Sequence, residues 1–212
     1  MLQFGDLIRM QKRLPADCTI RLTPFINDPL AFIGEKNLDK DVGKLKAALS
    51  GTSKGDISLS DALKKIDENL VFIRRAEAEV ALLKKKAEKA FPGFECDARG
   101  ALYQTEKNIS NTLSVEAFKM AGTAELTFQM HALLDGKSTW AQVLVLSKGA
   151  DNALKKAVKH ACTGDWQFKE MKGPENQAYM AEKKICPGEC AEETMKSGMA
   201  VVAEIEKRIA DN

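Results

Sequence analysis

Residues 97–135 read DARGALYQTEKNISNTLSVEAFKMAGTAELTFQMHALLD, and the class of the protein turns on whether this stretch is one helix. Asp97 is a suitable N-cap, and Gly136, just beyond the stretch, a suitable terminator. Between them Leu102, Ile109, Leu113, Ala117, Met120, Ala124, Thr127, His131 and Leu134 recur at helical spacing, which lays them along one stripe. Phe118, Leu126, Met130 and Leu133 flank that seam in its second half, and Ser114 offers a cap for a kinked restart. The spacing predicts a helix over 97–135.

The segment before it carries the same signal more cleanly. Leu63, Ile66, Leu70, Ile73, Ala76, Val80, Leu83 and Ala87 repeat at steps of three and four, between Gly51–Gly55 on one side and Phe91-Pro92-Gly93 on the other. Ser58 or Ser60 caps this helix, and Asp61 in its first turn suits the positive helix end. Val71, Phe72 and Leu82 widen the stripe, so the helix packs against more than one neighbour. The short turn at 92–96 makes the two segments an antiparallel helical hairpin.

Outward from the hairpin the same reasoning gives further helices. One starts at Ser138 and runs through Trp140, Val143, Leu144, Leu154 and Val158 to Thr163-Gly164; Val143-Leu144-Val145-Leu146 alone would pass for a buried strand. A short helix follows from Pro174 to Ile185, and a last one from Glu189 to near Ala210 on Ala191, Met195, Gly198, Val202, Ile205 and Ile209. Gly198 on that inner stripe marks a close helix crossing, since glycine in a helix costs about 1 kcal/mol relative to alanine. At the N-terminus, residues 3–14 suit a short amphipathic helix, and Pro15, Pro24 and Pro29 make 15–35 an irregular, ordered arm. A modest helix spans 39–49. The expected fold is therefore all-α: an elongated up-down helical bundle on a long hairpin, with residues 1–57 as an arm and 58–212 as the bundle domain.

Composition is compatible with this. Hydrophobic residues make 44% of the 212 and aromatic ones 6%, as in helix-on-helix cores. The 32 basic against 30 acidic residues leave +2, which argues against a dedicated nucleic-acid surface. Lys84-Lys85-Lys86 reads as a solvated helix face. No apolar run approaches the roughly 20 residues of a membrane span, and charges at Asp6, Arg9, Lys12 and Arg13 interrupt any signal-peptide core.

The five cysteines carry the chemistry that remains. Cys18, Cys96, Cys162, Cys186 and Cys190 all fall at expected loops or helix ends. In an up-down bundle Cys96 and Cys162 lie at one pole, within reach of a disulfide, and Cys186 and Cys190 complete the candidate set. Such staples favour an extracytoplasmic or secreted setting over a cytoplasmic one, and Asn108-Ile109-Ser110 is a glycosylation pattern of little weight. Against this stand five free thiols, or a zinc site in which Cys186 and Cys190, three residues apart, are joined by Cys162 and His160. No second paired motif supports the metal.

His131, on the apolar seam, reads first as a core histidine and second as the polar contact of a cofactor or ligand in the bundle core. His160 and Cys162 diverge on their helix, so they do not form a nucleophile and base. No phosphate loop and no di-iron pair is present. The function expected is a non-enzymatic binding module that presents a helical surface to a protein partner, with homo-oligomers allowed and no cofactor. A small-ligand carrier is the alternative, and a helical enzyme with a polar pocket near His131 or Glu125 the third reading.

Overall fold

The computed structural model describes residue 25 and residues 29–50, 59–104, 109–172, 176–185 and 188–210. The helix expected at 3–14, Cys18, the connection at Gly51–Gly55, Asn108, Pro174 and Cys186 lie outside the described residues. In chain order the elements are a 3-10 turn Pro29–Phe32, α1 (Leu38–Ser50), α2 (Leu59–Ala90), β1 (Glu95–Gln104), β2 (Ile109–Ala121), β3 (Ala124–Ala132), β4 (Ser138–Lys148), α3 (Asn152–Ala161), β5 (Trp166–Lys172), β6 (Asn176–Lys183) and α4 (Ala191–Ala210). The strands form one six-stranded sheet in the order β1-β2-β3-β4-β6-β5. The protein is mixed α/β, and the all-α bundle is overturned.

Residues 97–135 form three strands instead of the second arm of a helical hairpin. From Leu126 to Ala132 every second side chain, Leu126, Phe128, Met130 and Ala132, is fully buried, while Gln129 and His131 between them are half-exposed. That is the period of two of a strand with one sealed face. The expected seam mixes the two faces: Leu113, Ala117 and Ala124 point to the core, whereas Met120 is 53% exposed. Gly122, at φ +64°, opens the two-residue turn that pairs Ala121 with Ala124, as the first position of a II′ hairpin turn does. The helix expected from Ser138 splits into β4 and α3, because Val143-Leu144-Val145-Leu146 takes its strand reading; the helix expected at Pro174–Ile185 gives way to β6.

Two compact units divide the chain: Met1–Ala78 with Gly100–Asn111, and Glu79–Arg99 with Thr112–Asn212. In the first, Leu38, Val42, Leu45 and Leu49 of α1 join Phe25 and pack on Ala62, Ile66 and Ile73 of α2. The buried Asn69 amide donates to the Phe25 carbonyl at 3.0 Å, so a polar group in this core is satisfied. Arg74 bridges Asp39 and Glu77, both at 2.7 Å.

In the second unit, helices cover one face of the sheet. On that face Leu113, Val115 and Ala117 of β2, Leu126 and Phe128 of β3, Val143 and Val145 of β4, and Tyr179 and Ala181 of β6 are buried. α4 lies across it, with Gly198 against the Phe128 ring and Met195, Val202 and Ile205 buried. Phe91 stacks on Phe128 at 4.6 Å between ring centres. α3 is capped by Asp151, whose carboxylate accepts from the N–H groups of Ala153 and Leu154, and the Asp151 N–H donates to the Tyr179 hydroxyl at 2.9 Å. Gly198 of α4 and the Asp151 cap of α3 both meet this one face. Among the described residues no helix is long and apolar enough to cross a membrane.

Candidate functional site

The opposite face of the same sheet is built from the alternate residues. Registered pairing sets them in rows across the strands. One row is polar: Glu116, Gln129, Gln142 and Glu182. In it Gln142 donates to Gln129 at 2.7 Å and Gln129 to Glu116 at 3.1 Å. The next two rows are mostly apolar, Phe118, Thr127, Leu144, Met180, Lys169 and then Met120, Glu125, Leu146, Ala178, Met171. Thr127, Ala178 and Met180 in these rows are buried. Met120 and Met171, at 53% and 58% exposed, are among the large hydrophobic side chains most open to solvent.

Over β4, β6 and β5 the face is concave. Leu144, Leu146, Met171, Ala178 and Met180 line a shallow groove of about 590 Å³ that Gln142, Lys169 and Glu182 close at one end. Glu182 pairs with Lys169 and accepts from the Trp140 indole at 3.4 Å. The Lys169 hydrogen bond, helped by Trp140, holds its carboxyl below the usual range against the opposing effect of burial. Glu116 and Glu125 have no cationic partner among the described residues, while Lys148 stands at the end of β4. The charge beside the apolar rows of β2 and β3 is thus acidic.

The residues singled out from the sequence are scattered. His131 sits on this face with its ring 5.1 Å from that of Trp140, and burial lowers its pKa. It lines neither the groove nor the cleft described below. His160 is exposed on α3, with Nδ1 2.8 Å from the Lys156 carbonyl oxygen. Cys96, Cys162 and Cys190 carry free thiols, so the expected Cys96–Cys162 disulfide is absent. The reason is topological: the shared pole required a helix over 97–135, and Cys96 instead lies in β1 while Cys162 caps α3. The extracytoplasmic argument loses its support with the staple. Among the described residues no three His, Cys, Asp or Glu side chains group to hold a metal.

Burial pushes the Cys162 thiol up to about 11, which leaves about one thiolate in a thousand at pH 8. Iodoacetamide at pH 8 should therefore label exposed Cys190 at least about tenfold faster than Cys162, followed by peptide mass spectrometry over time. Equal rates would contradict the half-buried placement of Cys162.

Antiparallel strands with α3 and α4 packed on one face give this unit a mixed α/β fold. The chain matches no protein family, no curated protein and no solved structure. The open face and its groove went unread in the sequence, although Phe118/Met120, Leu144/Leu146 and Ala178/Met180 repeat at alternate positions. That repetition was the available signal.

Proposed function

We propose that this protein is a non-enzymatic binding module that takes its protein partner on the open sheet face instead of on a helical surface. The observation that carries this is the shallow groove lined by Leu144, Leu146, Met171 and Met180, with Met120 and Met171 exposed on the same face. Methionine supports the reading further, because its unbranched, polarizable side chain adapts to irregular partner surfaces. The partner segment is amphipathic and basic: apolar side chains at helical spacing enter the groove, and flanking Lys or Arg face Glu116 and Glu125.

The test uses two synthetic helical peptides of matched length, one of Leu and Lys, the other of Leu and Glu, titrated into protein carrying ¹³C-methyl methionine. The Leu/Lys peptide is expected to shift the Met120, Met171 and Met180 methyl signals saturably, and the Leu/Glu peptide to leave them in place. Met120→Lys with Met171→Lys should weaken binding at least about tenfold, with stability changed by no more than about 0.5 kcal/mol, since both sites are exposed. Binding that leaves those methyls unmoved, or no binding by either peptide, overturns the proposal.

A further inference from the structure

A second concavity lies on the helix-covered side of the sheet, within the same unit. Between the end of α3, the starts of β5 and of the loop before it, and one flank of α4, a cleft of about 570 Å³ opens. Its polar lining consists mainly of Ser197, Lys183, Arg208, Glu204, Asp165 and His160, with Trp166 as an aromatic wall. Small side chains on the facing helices, Ala161 and Ala200, leave the space empty.

The informative group is the Ser197 hydroxyl. Its oxygen accepts from the Trp166 indole N–H at 2.7 Å and from the Lys183 ammonium at 3.5 Å. A serine hydroxyl offers two acceptor positions and one proton. Both acceptor positions are taken by donors from β5 and β6, so the proton is the part left to give, and no described residue receives it. Two donors on one oxygen also polarise the O–H bond and strengthen it as a donor. Both donors are fixed: Trp166 is 6% exposed and Lys183 9%.

The charges around it are already matched. Lys183 is paired with Glu189 behind it, and Arg208 with Glu204 at 2.6 Å. Asp165 adds a negative charge at the rim. A carboxylate or phosphate would enter a site with no surplus positive charge, and a cation would meet the Ser197 proton head-on. We infer that this cleft binds a small uncharged molecule through an acceptor oxygen, a carbonyl or hydroxyl, seated on Ser197. Glu204, Arg208 and Asp165 serve its remaining polar groups at the mouth. This site is separate from the sheet face and stands whether or not that face binds protein.

The chain has two tryptophans, so the Trp166 indole N–H is easily told from that of Trp140 in a ¹H–¹⁵N spectrum and reports directly on Ser197. Isobutyramide, isobutyrate and isobutylammonium are near-isosteric probes that differ in charge. Isobutyramide should move the Trp166 indole signal saturably while Trp140 stays in place, and the two charged probes should bind at least about tenfold more weakly. Ala200→Leu, which fills the cleft and leaves the Ser197 contacts intact, should abolish the response, as should Ser197→Ala in protein whose remaining spectrum is unchanged. No saturable shift with the amide, equal binding of a charged probe, or an undiminished response in Ala200→Leu would each overturn the inference.

Discussion

Gly198→Ala is expected to destabilise the protein by about 1–3 kcal/mol, the cost of forcing extra atoms into a filled core, with Gly198→Val costing more. The sign is the test. In the middle of a helix, alanine is favoured over glycine by about 1 kcal/mol, so propensity alone predicts a gain. The packing predicts a loss. A Cβ added at Gly198 would lie 2.6 Å from Phe128 Cδ2 and closer still to Cε2. The ring has no room to retreat, because Phe128 is fully buried and stacked on Phe91. Urea denaturation of both variants reads the outcome. Phe128→Leu in the Gly198→Ala background should be less costly than the two single losses added, since each change relieves the other. A neutral or stabilising Gly198→Ala would mean that α4 does not approach β3 as closely as described.

Gly198 also shows what was legible in the sequence. Its place on the inner stripe of α4 announced a close approach, and one exists; the surface approached is an aromatic side chain of a strand, not another helix. α2 and α4 were readable because 32 and 20 residues of uninterrupted helical period leave little ambiguity. The strands were hidden for a specific reason. Ala117, Ala124 and Met120 are good helix formers as well as tolerable strand residues, and a list of apolar positions at steps of three and four can be drawn through any segment this rich in them. What separates the two readings is the strict alternation Leu126, Phe128, Met130, Ala132 and the Gly122-Thr123 turn, which a helix would carry as a glycine defect. The open face was illegible for a further reason: its rows join residues from β2, β3, β4, β6 and β5, and adjacency across strands depends on register. Likewise Trp166, Lys183 and Ser197 meet only once α4 is laid on the sheet.

Glu189→Leu should cost about 3–5 kcal/mol, the range for breaking a buried ion pair by removing one partner. The side chains of Lys183 and Glu189 are 8% and 11% exposed, so solvent does little to relieve the charge left behind. Glu189 also accepts from the Thr194 hydroxyl at 2.9 Å, and Thr194 lies 2.6 Å from the Ser138 hydroxyl, so the loss spreads into two more buried polar groups. The pair Lys183→Met with Glu189→Leu removes both charges, and buried ion pairs replaced by apolar residues of similar size are often neutral or stabilising. If that double variant matches the unsubstituted protein in stability while losing the amide response at Trp166, the ion pair is kept for the donor it holds against Ser197. If it is no more stable than Glu189→Leu alone, the lost Thr194 and Ser138 partners, not the unpaired lysine, set the cost.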